Sequence, residues 1–259
     1  MNAPLFHALE AAPVPAAAPA VNARLLKETP LLDFSHPSIA FLIEQRGWRQ
    51  LGQPEEQIKA IYTFVKDEIL FGYNSDDDLP ASKVLNDGIG QCNTKATLFM
   101  ALLRAVGVPC RFHGFTIHKR LQKGAVTGIF YLIAPRNILH SWVEVQLDGR
   151  WINLEGLILD KQYLASLQAQ HPDCRGSFCG YGAATDNFRN PAVEWTGADT
   201  YIQKEGINRD YGLFDAPDNF YAQVGTNIRG WKRWFFVNWI RHNMNRNVAR
   251  IRNAKHGAA

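Results

Sequence analysis

No apolar run in this sequence is long enough to cross a bilayer as a helix, which takes about 18 or more residues. The most apolar stretch near the C-terminus, Trp234 to Ile240, is interrupted by Asn238. Cysteine is scarce as well, with four in 259 residues. That is too few for a disulfide framework at this length and points to a reducing compartment, so the expected location is cytoplasmic. The opening residues are not expected to act as a secretory leader: they carry no basic region, and residues 11–20 hold six alanines and three prolines where an apolar core would stand. Prolines at that density favour an extended arm, expected over residues 1–24. Finally, there is no acidic residue after Asp218, although Arg229, Lys232, Arg233, Arg241, Arg246, Arg250, Arg252 and Lys255 follow it. The net charge of +4 therefore divides into a basic tail and a body with 20 basic against 24 acidic residues.

What is present is ordinary globular material, 46% apolar and 20% charged, which excludes wholesale disorder. A chain of this length buries roughly three-quarters of its unfolded surface and needs no covalent staples. Asp33-Phe-Ser-His-Pro37 reads as a helix start, Ile39, Leu42 and Ile43 recur at helical spacing, and Gly47 closes the element. A second helix follows Pro54, with Ile58, Ile61, Phe64, Val65 and Ile69 on one face. Asn74 to Pro80 is a polar loop with three consecutive aspartates. It lacks the glycine and distal glutamate of a calcium loop and reads as solvated surface.

From Gly88 the pattern changes. Gly88-Ile-Gly-Gln-Cys92 is a tight turn into a helix whose buried stripe is Leu98, Phe99, Leu102, Leu103 and Val106, ended by Gly107 and Pro109. Val108 to Ile117 reads as a strand, and Leu139 to Leu147 as another. Asp148-Gly149 is a two-residue hairpin signal, with Trp151 to Glu155 returning. Helices first and a strand meander afterwards predict an α+β fold. Tyr181 to Asp218, rich in Gly, Asn, Tyr and Phe, reads as irregular structure that could wall a cleft.

Cys92 stands at the first turn of its helix, where unpaired N–H groups and the positive end of the helix dipole converge. Both favour the thiolate, the nucleophilic form, and the same N–H groups can hold an oxyanion. The Asp148-Gly149 turn sets the hairpin register: Leu147 opposite Arg150, Glu144 opposite Asn153, Trp142 opposite Glu155. His140, Trp142 and Glu144 then share a face. Glu155 lies one diagonal step from His140, about 7–8 Å away at the backbone and within side-chain reach. A cysteine, a histidine aimed at it and a carboxylate behind the ring form a nucleophile–base–orienter set. Each residue alone has an ordinary structural reading; the combination favours catalysis.

Gly-Gln-Cys92 opening a helix that ends Leu-Leu-Arg-Ala-Val-Gly-Val-Pro-Cys-Arg111, then His140-Ser-Trp-Val-Glu, then Trp151-Ile-Asn-Leu-Glu155, resembles the core of the transglutaminase-like superfamily, in its bacterial cysteine peptidase or amidase type. The resemblance covers roughly residues 80–156. It implies a papain- or transglutaminase-like core within residues 25–225, with Cys92 as nucleophile, His140 as base and Glu155 as orienting acid. Gln91 and Trp142 become candidates for the oxyanion and substrate site. One departure is plain: the family usually has aspartate where this chain has Glu155. The implied chemistry is thiol acyl transfer on a peptide, amide or ester substrate, hydrolytic or to an amine, without a cofactor or metal. The alternative from another class is a non-catalytic binding protein on the same fold.

Other residues compete for a role beside these. Arg111, His113, Phe115 and His118 lie on or beside the strand after the Cys92 helix, and His113 competes as base. His171, Cys174 and Cys179 lack the paired spacing of a zinc site, and Cys110 reads as core. Residues 226–259 form a basic C-terminal element, helical over 228–252, with a stripe of Val237, Ile240, Met244, Val248 and Ile251 and with Trp231, Trp234 and Trp239 near its start. It can dock on the body or lie peripherally on a membrane or partner. No nucleic-acid module is recognisable, and no nucleic acid is expected as a partner.

Overall fold

The computed structural model of the protein describes residues 23–228 and 230–254; the expected arm lies outside them except for its last two positions. Four helices come first: α1 (Pro37–Arg46), α2 (Pro54–Asp67), α3 (Ala81–Asp87) and α4 (Cys92–Ala105). Two short strands, β1 (Leu70–Phe71) and β2 (Ile89–Gly90), pair in parallel, Phe71 opposite Gly90. The main sheet follows with β3 (Cys110–His118), β4 (Asn137–Leu147) and β5 (Arg150–Leu154); α5 (Gly128–Ile133) lies between the first two. Then come α6 (Lys161–Gln170), the hairpin β6 (Phe178–Gly180) and β7 (Ala183–Thr185), β8 (Ile207–Phe214), α7 (Pro217–Val224), α8 (Trp231–Phe235) and α9 (Arg241–Arg252). The main sheet is antiparallel in the order β5-β4-β3-β8, so the fold is α+β.

The sequence dictates why the sheet faces as it does. Asp148 and Gly149 both take positive φ, 49° and 75°, the geometry of a tight two-residue hairpin turn. That turn pairs Leu147 with Arg150, Glu144 with Asn153 and Val143 with Leu154, the register read from the sequence. Leu139, Val143, Val145 and Leu147 consequently face the helices and join Leu98, Leu102, Ile58, Ile61 and Ile39 in one buried cluster. Each such side chain contributes about 1.5–3 kcal/mol by leaving water. A second cluster holds Phe71, Tyr73, Cys92, Val126, Tyr163 and Leu167 together with Met244, Val248 and Ile251 of α9. Cys92 is thus the apolar residue of α4 that belongs to this second cluster, while Ala96 and Leu98 to Leu103 pack in the first.

Polar anchors tie the second cluster together. Asp160 caps α6 by accepting the Tyr163 N–H at 2.8 Å, and it also accepts the Phe71 N–H at 2.9 Å. Arg252, at the end of α9, donates to Asp160 Oδ2 at 2.9 Å and to the Phe71 carbonyl at 2.6 Å. Burial works to raise the pKa of Asp160, but the bonds from Arg252 and the two backbone groups outweigh it and hold the carboxyl below its ordinary value.

Three expectations need correction. The stretch Tyr181–Asp218 is not wholly irregular: β7 lies in it, and β8 joins β3 as the fourth strand of the sheet. β8 is an edge strand whose Asn208, Arg209 and Asp210 face solvent, so burial imposes little apolar alternation on it. The C-terminal element is not one uniform helix, because a π-helical turn, Phe236–Ile240, separates α8 from α9. The aspartate run is not wholly solvated either. Asp77 is buried, for reasons that concern the site.

Candidate active site

The helix carrying Cys92 begins where local chemistry stops the preceding turn. Gln91 is extended, and its side chain receives the backbone N–H at the third helical position. Thr94 Oγ1 in return accepts the Gln91 N–H at 3.1 Å, completing a reciprocal cap. Gly90 is required by close approach: a Cβ there would stand 2.6 Å from Lys95 Cγ and 3.0 Å from Thr94 Oγ1. Gln91 Oε1 also accepts the Asn74 N–H at 2.9 Å, which fastens the loop after β1 to the helix start. Cys92 itself is 7% exposed among Phe71, Tyr73 and Val126.

On the sheet side, His140 Nε2 and Glu155 Oε1 lie 2.7 Å apart, and neither side chain has any exposure. Glu155 Oε2 accepts the backbone N–H groups of Ile202, Gln203 and Lys204 at 2.8, 2.9 and 3.1 Å. Both carboxylate oxygens are therefore engaged, and the acid has little freedom to rotate. His140 Nδ1 is buried without an aligned hydrogen bond, yet Cys92 is near enough to act on the ring. Burial alone lowers the imidazole pKa, but the charge and hydrogen bonding of Cys92, reinforced by Glu155, push it up to about 10. The upward shift favours the protonated ring.

Asn93 explains how helix and strand are brought to this distance. Its Nδ2 donates to the Leu139 carbonyl and to Asp77 Oδ1, both at 3.1 Å, and its Oδ1 accepts the Ser141 hydroxyl at 3.0 Å. The residue after Cys92 thus grips the two residues flanking His140. Asn227 extends the clamp: its backbone and side-chain N–H groups reach Asp77 Oδ2 at 2.9 Å, and its Oδ1 accepts the Leu139 N–H at 2.7 Å. Burial raises the pKa of Asp77, and these donors counter the rise. Asn93, Asp77 and Asn227 were not singled out from the sequence. Their roles depend on side-chain meetings across as many as 150 positions, which spacing does not reveal.

The remaining candidates fall into place by their partners. Trp142 is buried, its ring 4.1 Å from that of Phe115 and 5.6 Å from that of Tyr201, and its indole N–H has no partner. His113 has both ring nitrogens engaged, Nδ1 with Glu144 at 2.8 Å and Nε2 with Asp210 at 2.9 Å. Burial tends to raise the pKa of Glu144, but His113 and Arg111 together lower it. His113 is thereby a sheet-face anchor with no nitrogen free for a thiol. Tyr73, which donates its hydroxyl to Gln122 Oε1, lines the Cys92 cluster and was also missed in the sequence. His171 pairs its Nδ1 with the Leu167 carbonyl and packs against Phe178 and Tyr181, Cys174 is half-buried and Cys179 exposed. Among the described residues, no group of three or more His, Cys, Asp and Glu side chains is placed to hold a metal ion.

Residues 43–156 match the model of the transglutaminase-like superfamily core, a span that contains Cys92, His140 and Glu155. No curated protein matches the chain. A solved structure named "putative cysteine protease", from Cytophaga hutchinsonii, is similar at 13% identity with a TM-score of 0.45. The alignment covers 83% of this chain and 55% of that one, so the chain spans about half the length of that protein.

Proposed function

For a chain carrying a transglutaminase-like superfamily domain, we propose a cysteine-dependent acyl-transfer enzyme that cleaves an amide, peptide or ester bond. The observation that carries this reading is the buried His140–Glu155 pair, its carboxylate fixed by three backbone N–H groups and its imidazole raised by Cys92. In the proposed reaction His140 holds the proton of the Cys92 thiol as an imidazolium, and the thiolate attacks the substrate carbonyl. In this reading the backbone N–H of Cys92 at the helix start holds the oxyanion, and the Gln91 carboxamide is the candidate second donor. Collapse of the tetrahedral intermediate breaks the acyl bond, and His140 gives its proton to the departing amine or alkoxide. Neutral His140 then draws a proton from water or an amine as that nucleophile attacks the Cys92 thioester, and the thiol is regenerated. Water is the proposed usual acceptor, with an amine as the alternative.

The test is a screen of amide, peptide and ester libraries with wild type and Cys92→Ala in parallel. Turnover that falls by several orders of magnitude in Cys92→Ala, with an acyl-enzyme mass adduct on the wild type, is the expected result. Adding hydroxylamine or a primary amine separates transfer from hydrolysis by product mass. A verified substrate that Cys92→Ala still turns over removes Cys92 from the nucleophile's role.

A further inference from the structure

The C-terminal segment carries two apolar faces, and the fold uses only one. The inner face, Phe236, Ile240, Met244, Val248 and Ile251, packs onto the cluster that contains Cys92. The opposite face of α8 and the π-helical turn presents Trp231, Trp234, Phe235 and Trp239, with Trp231 73%, Trp234 58% and Trp239 63% exposed. An ordinary docked helix needs one apolar stripe and turns a polar side outward. Here the outward side is aromatic, and among the described residues nothing covers it. Contiguous exposed apolar surface of this kind marks an interaction site.

Charge identifies the occupant. From Asn219 onward the chain has no acidic residue and eight basic ones. Lys232 lies among the exposed tryptophans, and Arg246 and Arg250 are exposed farther along. Arg233 is ion-paired with Asp76, which fastens α8 to the loop that also supplies Asp77. The tryptophans are therefore presented on a fixed element rather than a loose tail. A second exposed apolar group, Ile129, Leu132 and Ile133 of α5, sits on an element whose Phe130 and Tyr131 pack on the same cluster as Phe236 and Ile240. Lys119, which donates to the Tyr131 and Leu132 carbonyls, and Arg120 lie on the turn that precedes α5 in the chain. Tryptophan combined with lysine and arginine suits the boundary between anionic headgroups and acyl chains, where the ring is half in hydrocarbon and the cations meet phosphate. An apolar protein partner would not call for the exposed cations Lys232, Arg246 and Arg250 on this segment, which remain after Arg233 is paired with Asp76.

We propose that the Trp231–Trp239 face docks the protein on an anionic lipid bilayer, lying in the interface without spanning it. The proposal is independent of the acyl-transfer reading, because vesicle binding is measured without turnover. The test floats the full-length protein with phosphatidylcholine vesicles, with and without 30% phosphatidylglycerol (a composition chosen at roughly the charge density at which basic segments adsorb). Wild type is expected to float with the anionic vesicles, to be released by high salt, and to stay behind with the zwitterionic ones. The variant Trp231→Ser/Trp234→Ser/Trp239→Ser is expected to lose anionic-vesicle binding by about tenfold or more. It should do so with an unchanged circular dichroism spectrum, since all three side chains are exposed. Failure of wild type to float with anionic vesicles, or equal flotation of the triple variant, overturns the proposal. A wild-type dimer that the triple variant dissolves, seen by light scattering without vesicle binding, assigns the face to a second copy and overturns it equally.

Discussion

Glu155 divides its carboxylate between two tasks: Oε1 meets His140 Nε2 at 2.7 Å, and Oε2 takes the N–H groups of Ile202, Gln203 and Lys204. The longer side chain, where an aspartate is usual in the family that the sequence resembles, is thus matched to its surroundings. Three backbone donors set the distance at which the second oxygen faces the imidazole.

Shortening that side chain should therefore hurt, even though it restores the usual residue. Glu155→Asp cannot keep both sets of contacts, and kcat/KM is expected to fall about tenfold or more; Glu155→Gln, which loses the charge and the tautomer control, should fall roughly 10³-fold or further. Steady-state kinetics on any substrate found for the wild type decides this. An Asp variant as active as wild type would mean that the longer reach of Glu155 to the three backbone donors is not needed to orient the ring.

The imidazole makes stability sensitive to alkali. Because the folded-state pKa of His140 is about 10 against an ordinary 6.5, its contribution is complete below about pH 6.5 and is lost as pH rises through 10. Lys95 acts with the opposite sign. Burial lowers its ammonium to about 7 from 10.5, and Asp160 only partly offsets this. The folded state consequently gains on the unfolded one between those values as pH rises. The net profile mixes the two, so the informative quantity is a difference between variants. Cys92→Ala removes the group that chiefly raises His140, and its thermal midpoint should decline less between pH 7 and 10 than that of wild type. Identical declines would deny the coupling.

Asn93 should be as sensitive as the nucleophile's own partners. Asn93→Ala strands the Leu139 carbonyl and takes one donor from buried Asp77, a loss of about 2–3 kcal/mol on the scale of unsatisfied buried groups. Denaturant unfolding measures the first effect. The second is kinetic: kcat should drop more than KM changes, because helix start and His140 lose their common fastening. Asn93→Asp, which keeps the acceptor for Ser141 but places a carboxylate against Asp77, should be no better.

His113 supplies the contrast. With both ring nitrogens held by carboxylates, His113→Gln is expected to keep turnover within roughly tenfold of wild type while lowering the unfolding midpoint. His140→Gln should abolish turnover. The two variants assayed side by side distinguish a base from a sheet anchor.

Much of this could be read before any coordinates. The Gly-Gln-Cys92 start, the Gly107 stop and the Asp148-Gly149 turn are local signals, and the turn alone placed His140 and Glu155 on neighbouring positions of one face. What escaped the sequence is non-local. Glu155 receives donors from a loop 47 positions away, through backbone groups that every residue type possesses. Asp77 looks like its two aspartate neighbours and is buried only because Asn93 and Asn227 converge on it. β8 gave no alternation because neither face of this edge strand is fully buried. The single expected C-terminal helix proved divided, because the π-helical turn is a matter of one residue's phase and leaves the apolar spacing nearly intact.

Arg252 reaches across to Phe71, Phe71 pairs with Gly90, and Gly90 stands two positions before Cys92. The end of α9 and the thiol therefore stand on one run of buried contacts, and a substitution at Arg252 acts on the cluster that holds Cys92. Chain positions 160 apart thus behave as neighbours, and the carboxyl-terminal turn serves as a keystone for the nucleophile's setting.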